Sequence, residues 1–237
     1  MPNKNFQFKQ FLIQQDKSAM KVTTDACLFG AVAANEIKNS YQSILDIGSG
    51  TGLLSLMIAQ KNNAFIDAVE IDKAAFEQTA ENFEQSPWKE RLAIFNENIL
   101  EFAPAKKYGC IISNPPFYEK YLKSPDDKIN AARHDDTLTL DELIKIVDTN
   151  LSADGIFAVL LPFSRNTKCL EIADKHSLYC FKNILIKQTP AHNYFRSILF
   201  FCRDKKEIIQ YEVIIKDEKG NYTERFIEQM KDYYLYL

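Results

Sequence analysis

The sequence predicts an α/β fold: a mostly parallel sheet with helices on both faces and a C-terminal antiparallel hairpin. Three observations carry this expectation. Apolar runs of strand length alternate with helical patterns through the middle of the chain, which is the signature of βαβ units. Three of the seven glycines, Gly48, Gly50 and Gly52, fall within five residues, between one such run and one such helix. In the last quarter, strand-like runs follow one another with only a short charged link, as a hairpin requires.

Taken in order, Ser43–Ile47 is the first strand, and a helix over 53–60 follows the glycines. Phe65–Val69 is the second strand and ends at Glu70; a helix over 72–85 follows, with Asp72 as its N-cap. Residues 91–95 are a third strand. Tyr108–Ser113 is a fourth and runs into Asn114-Pro-Pro-Phe117. A helix over Leu140–Asn150 leads to a fifth strand at 155–161, and another helix lies over Asn166–Lys175. Residues 181–187, 194–202 and 208–216 read as strands, the last two as a hairpin through 203–207, and a helix over 222–234 closes the chain. The first 40 residues stand outside this alternation. Phe6, Phe8, Phe11 and Ile13 form a partly alternating apolar start, 18–25 is loop-like and 26–37 is helical. That segment reads as a flank or lid before a core over 41–237. With no repeat and no break in composition, 1–237 reads as a single domain.

Composition excludes several classes. The chain has 237 residues, 46% hydrophobic and 26% charged, unlike a disordered protein. No apolar run approaches the ~18–20 residues that span a bilayer, and the N-terminus has no apolar core of a secretory signal. Cys27, Cys110, Cys169, Cys180 and Cys202 are odd in number and scattered, which argues against a disulfide framework and for a reducing cytoplasm. His134, His176 and His192 are too dispersed for a metal site, and no metal is expected. A net charge of −3 lowers the expectation of a broad basic face, although a local patch is enough to hold a nucleic acid.

The chemistry concentrates at strand ends. Asp46-Ile-Gly-Ser-Gly-Thr-Gly52 sits at a strand-to-helix turn, where glycines let a ligand approach the backbone. Glu70, at the next strand end, is placed to bond both hydroxyls of a ribose. The glycine spacing is not the dinucleotide fingerprint, and the Asp46 carboxylate disfavours a phosphate. A nucleoside with a cationic tail fits instead, which is S-adenosylmethionine; the bland alternative is a tight turn with no ligand. Asn98, after the third strand, offers a donor and an acceptor to an adenine edge, or is a plain loop residue. Asn114 and Pro115 emerge at the same sheet edge. Consecutive prolines remove N–H donors, so carbonyl acceptors dominate there. An Asn oxygen and a neighbouring carbonyl can take both hydrogens of a planar NH₂, with Phe117 stacked on its ring. That suits methyl transfer to an exocyclic or amide nitrogen, where catalysis is positioning and desolvation. Arg133 and the lysines at 120, 123 and 128 read as solvated or RNA-facing, with Asp126 and Asp127 offsetting the lysines; Asp135 and Asp136 read as a solvated pair. Lys182, Lys187 and Arg196 are too spread to read as a patch, and the tyrosines of the 233–236 tail read as core.

These residues resemble the class I S-adenosylmethionine-dependent methyltransferases of the N-P-P-[FY] branch. Phe6-Gln-Phe-Lys-Gln-Phe11, Met20-Lys-Val-Thr-Thr-Asp25, Leu45-Asp-Ile-Gly-Ser-Gly-Thr-Gly-Leu-Leu54, Asp67-Ala-Val-Glu70, Asn82, Gln85-Ser-Pro-Trp88, Ile111-Ile-Ser-Asn-Pro-Pro-Phe117 and Ala132-Arg133 are similar, in order and spacing, to the tRNA1(Val) adenine-37 N6-methyltransferases. The resemblance implies a Rossmann-like, mostly parallel seven-stranded sheet. It implies S-adenosylmethionine as cofactor and an acceptor adenine in the anticodon loop of a tRNA; a monomer is expected. Asp46, Gly48, Gly50, Gly52 and Glu70 would hold the cofactor, with Thr23, Thr24 and Asp25 lying over it. Asn98 stands where the family has Asp, Thr23 where it has Gly, and Phe117 where it has Tyr. Other N-P-P-[FY] enzymes, acting on rRNA guanine, DNA adenine or protein glutamine, present the same motif; a non-catalytic binding module and a nicotinamide dehydrogenase are weaker alternatives.

Overall fold

The computed structural model describes residues 4–18, 20–115 and 138–237. A two-stranded sheet of β1 (Asn5–Gln7) and β2 (Leu12–Gln14) precedes the main sheet of β3 (Ser43–Ile47), β4 (Phe65–Val69), β5 (Leu92–Phe95), β6 (Tyr108–Ser113), β7 (Leu151–Pro162), β8 (Tyr179–Lys187), β9 (Arg196–Cys202) and β10 (Ile209–Ile214). The helices among the described residues are α1 (Thr24–Glu36), α2 (Leu53–Ala59), α3 (Lys73–Glu84), α4 (Leu140–Asn150), α5 (Asn166–Lys175) and α6 (Glu224–Met230).

The main sheet has the order β10-β8-β9-β7-β6-β3-β4-β5. The chain enters it at β3, lays β4 and β5 to one side, then returns to lay β6 and β7 on the other, all parallel. The direction of winding reverses between β3 and β6. In an open parallel sheet that reversal leaves a crevice at the carboxyl ends of the two strands, and the crevice places the site.

The strands are buried on both faces because alternate residues serve different helices. Ile44, Ile66, Cys110, Ile112, Ala158 and Leu160 share a core with α1 and α2. Leu45, Ile47, Val69, Ile111, Phe157 and Val159 share the other with α4 and α5. Asp72 caps α3, accepting the Ala75 N–H at 2.8 Å, as its sequence position predicts. Thr139 and Glu142 form a capping box that starts α4.

The expected class is present, with two corrections. Among the described residues the sheet has eight strands rather than seven. The C-terminal antiparallel hairpin is β8–β9, with β9 wedged antiparallel between β7 and β8; the expected pairing of the last two strands does not form, because β10 joins β8 in parallel. Strands lie ~4.8 Å apart and an extended residue reaches ~3.4 Å. The link over 203–208 is therefore long enough to step across β8 instead of turning back.

The N-terminal segment is packed against the rest of the chain. Phe8 and Phe11 stack at 4.5 Å and, with Ile13, belong to the α1–α2 core. The Lys9 N–H donates to the Tyr233 carbonyl at 2.8 Å, and the Tyr233 hydroxyl donates to the Met57 carbonyl at 3.0 Å. Tyr233 and Tyr234 are buried, whereas Tyr236 is exposed. All five cysteines are free and buried.

Candidate active site

The turn after β3 is shaped by its backbone. The Gly48 and Ser49 N–H groups donate to the Val69 carbonyl at 2.9 and 3.3 Å. Gly48 and Gly50 have φ of 72° and 59°, a left-handed conformation that disfavours side chains. Among the described residues, no atom beyond the chain neighbours lies within 4 Å of where a Cβ would stand on either glycine, so both border space that these residues leave open. Gly52 differs: a Cβ there would meet Phe83 Cε1 at 2.7 Å and Thr79 Cγ2 at 3.1 Å. Its missing side chain lets the start of α2 pack on α3.

Two carboxyls sit under and beside this turn. Asp46 is fully buried. Its Oδ2 accepts from the Ser55 hydroxyl of α2 at 2.7 Å, while among the described residues its Oδ1 has no partner, as is also true of the Ser49 Oγ. Burial pushes the Asp46 pKa up to about 7, opposed by the Ser55 hydrogen bonds and reinforced by the nearby Glu70 charge. Glu70 is 8% exposed. Its two oxygens accept from the Gly50 N–H at 2.8 Å and the Asp72 N–H at 2.9 Å, so it ties the glycine turn to the start of α3.

Three residues that sequence reasoning gave no role complete the scaffold. The Thr79 hydroxyl donates to the Gly50 carbonyl at 2.8 Å. Buried Asn82 donates to the Thr51 carbonyl at 2.8 Å and the Gln14 carbonyl at 2.9 Å, and accepts the Gln14 N–H at 2.8 Å. It thereby joins β2 to the turn. The Asn96 side chain donates to the Glu70 and Ile71 carbonyls and pins the end of β4. A polar residue in an otherwise apolar helix, Ser55 in Leu-Leu-Ser-Leu, was the one local signal available.

Asn98 starts a turn: its Oδ1 accepts the Leu100 N–H at 3.0 Å, and its carbonyl accepts from Glu101 and Phe102. Thr23 caps α1, accepting the Ala26 N–H at 3.4 Å, and Thr24 opens the helix. Asp25 accepts from Arg196 Nε at 2.9 Å. Because β9 runs antiparallel, Arg196 at its start lies at the carboxyl edge, and the pair brings the start of α1 to that edge. Ser113 lies level with Ile47 in the register, and its hydroxyl donates to the Ile47 carbonyl at 2.9 Å. Asn114 therefore leaves β6 beside the point where Gly48 leaves β3. It is half-buried and Pro115 is buried. Phe117, like Lys120, Lys123, Lys128, Arg133, His134, Asp126, Asp127, Asp135 and Asp136, lies outside the described residues.

The structure thus gathers Asp46, the glycine turn, Glu70 and Asn114 around the β3/β6 crevice. The methyltransferase small domain model matches residues 28–155. A tRNA1(Val) (adenine(37)-N6)-methyltransferase of Christiangramia forsetii is 43% identical and is matched over the whole of both chains. One of Flavobacterium psychrophilum is 42% identical over 97% of this chain and 99% of its own. The chain belongs to the tRNA1(Val) (adenine(37)-N6)-methyltransferase family. Among solved structures, a predicted O-methyltransferase from Agrobacterium tumefaciens is similar with a TM-score of 0.67 at 13% identity, over 87% of this chain and 95% of its own. A glycopeptide N-methyltransferase in complex with S-adenosylmethionine has a TM-score of 0.55 at 11% identity, over 74% of this chain and 88% of its own. These two share the fold with this family member. No group of three or more potential metal ligands and no helix able to cross a membrane occurs among the described residues.

Proposed function

We propose that this chain transfers a methyl group from S-adenosylmethionine to N6 of adenine 37 in the anticodon loop of tRNA1(Val), the activity for which its full-length relatives are named. The observation that carries the reading is the crevice itself, where an acidic, glycine-walled turn at the end of β3 adjoins Asn114-Pro115 at the end of β6.

The residues fit the cofactor. The unpartnered Asp46 Oδ1 and its negative field suit a cationic ligand, and the open faces of Gly48 and Gly50 leave room for one. When bound, S-adenosylmethionine supplies a methyl group on a positively charged sulfur. Glu70 and the glycine turn hold the ribose and methionine parts, with Thr23, Thr24 and Asp25 alongside. Asn98 is the candidate for the adenine of the cofactor, while Gly52 contributes by packing. Asn114, with the carbonyls of a proline-rich turn, accepts the hydrogens of the target NH₂, and Phe117 stacks on its base. The acceptor nitrogen needs no base in advance, because it releases its proton after attack; the side chains orient it and exclude water. A base in a loop needs less unstacking than one in a duplex. The chain works as a single domain and as a monomer, in the cytoplasm.

The test is a methyl-transfer assay with labelled S-adenosylmethionine. Unmodified tRNA1(Val) takes up label, and a copy with guanine at position 37 does not. Equal labelling of both, or of neither, overturns the reading.

A further inference from the structure

Past the crevice, the carboxyl edge continues over β7, β9 and β8. From Lys175 to Arg203 the chain has five Lys or Arg and no acidic residue, in a protein of net charge −3. The fold sorts these cations. Lys182 lies toward the far end of β8, paired with Glu36. Lys187 closes β8 and Arg196 opens β9 opposite Ile186, so these two share the carboxyl edge. Residues 188–195 form the turn between them.

Beside that turn an aromatic pair stands at the surface. Phe163 follows β7, and its N–H donates to the Phe195 carbonyl at 3.2 Å. Its ring lies 5.3 Å from that of Tyr194, tilted by 51°, and the residue remains 40% exposed. Lys187 Nζ lies 4.7 Å from the centre of the Tyr194 ring, and 3.6 Å from Glu212. His192 is exposed in the same turn. Glu212 also accepts from the Tyr194 hydroxyl at 3.0 Å; a half-exposed ion pair as long as that of Lys187 contributes little to stability, and a phosphate can compete with Glu212 for the lysine. The edge adjoins the crevice directly, since β7 pairs with β6 and Val159 lies level with Ser113.

We propose that this edge is the RNA-docking face, on which Phe163 and Tyr194 stack nucleotides next to the target base while Lys187 and His192 meet phosphates. The inference rests on the reading that the acceptor is a tRNA loop. Unpaired loop nucleotides offer bare base faces, which aromatic rings hold whatever their sequence, with cations tracking the backbone.

The experiment measures the affinity of unmodified tRNA1(Val) without turnover, together with cofactor affinity and melting temperature. It compares the wild type with Phe163→Ala, Tyr194→Leu, the double variant, Tyr194→Phe and Lys187→Ala. Each lost ring weakens tRNA binding about tenfold, and the double variant more. Tyr194→Phe keeps its ring and binds normally. Lys187→Ala reduces the slope of log affinity against log salt by about one. Cofactor affinity and melting temperature stay within experimental error of wild type. Unchanged tRNA affinity in the double variant overturns the proposal, as does a loss matched by lower melting temperature and weaker cofactor binding. A wild type that methylates adenine 37 while the double variant binds tRNA normally overturns this face and leaves the proposed function standing. A wild type that binds tRNA through these rings but labels position 37 no better than a guanine copy overturns the function and leaves the face.

Discussion

The two flanks of the crevice are built differently. On the β3–β4 flank the backbone of the turn is tied down: Glu70 bonds two backbone N–H groups, and Thr79 and Asn82 fix the carbonyls of the turn. On the β6–β7–β9 flank the rings and cations stand nearer the surface, and their bonds run to one another and to neighbouring side chains: Tyr194 donates to Glu212 at 3.0 Å, and Arg196 donates to Asp25 at 2.9 Å. One flank is pre-organised for a ligand of fixed shape. The other, as the proposed docking face, would offer its rings to a partner much larger than the crevice. The division suggests that binding of the small ligand and choice of acceptor can be altered separately.

The largest expected effect tests that separation on the acceptor side. Asn114→Ala should reduce turnover by about 10²–10³-fold, the scale of losing an oriented polar contact in a transition state, while cofactor affinity changes little. Equal loss of cofactor binding would merge the flanks. Next, Glu70→Ala should weaken cofactor binding by roughly 10–100-fold, since hydrogen bonds to a charged group contribute ~1.5–3 kcal/mol. Calorimetric titration reads it, and unchanged affinity refutes the ribose assignment. Asn82→Ala leaves the Thr51 carbonyl and the backbone N–H and carbonyl of Gln14 without this partner. It should lower stability by about 2–3 kcal/mol in urea unfolding and weaken the cofactor less than Glu70→Ala does, because it acts only through the turn.

The remaining effect is a pH dependence. Asp46 has its pKa raised to about 7 from 3.8, chiefly by burial, with Glu70 as the nearby negative group. The folded protein thus holds this proton more tightly than the unfolded chain does. Its contribution to stability is complete below about pH 4 and is lost as pH rises to about 7. Asp46→Asn should flatten stability over that window. A cationic ligand favours the ionised form, so cofactor binding near pH 6 should release protons, seen as a dependence of the binding enthalpy on the buffer, and Asp46→Asn should abolish the release.

The same contrast explains what was legible in the sequence. The β3–β4 flank is local: strand, glycines, helix and acidic strand end lie within the 28 residues from Ser43 to Glu70, and their spacing fixes their geometry. Asn114 was legible because it too ends a strand. Asn82 and Thr79 lie on a helix whose sequence shows which face is buried but not that the face meets a glycine turn. The alliance of Lys187 with Arg196 was hidden for a stronger reason. It depends on β9 running against its neighbours and on β10 stepping over β8, and neither pairing leaves a local pattern. Lys182, five positions before Lys187, lies toward the other end of β8 and pairs with Glu36.

The insertion of β9 between two strands of the other direction also bears on how such a protein can diversify. At the carboxyl ends of β3 and β4 the chain goes straight into a packed helix, and added residues there would displace that helix. The 188–195 turn joins neighbouring antiparallel strands and carries no helix. Doubling the length of a flexible loop costs only ~0.6 kcal/mol. Evolution can therefore lengthen, shorten or recharge this turn while the remaining connections keep their lengths, and a lineage can acquire a new acceptor without refolding its catalytic half.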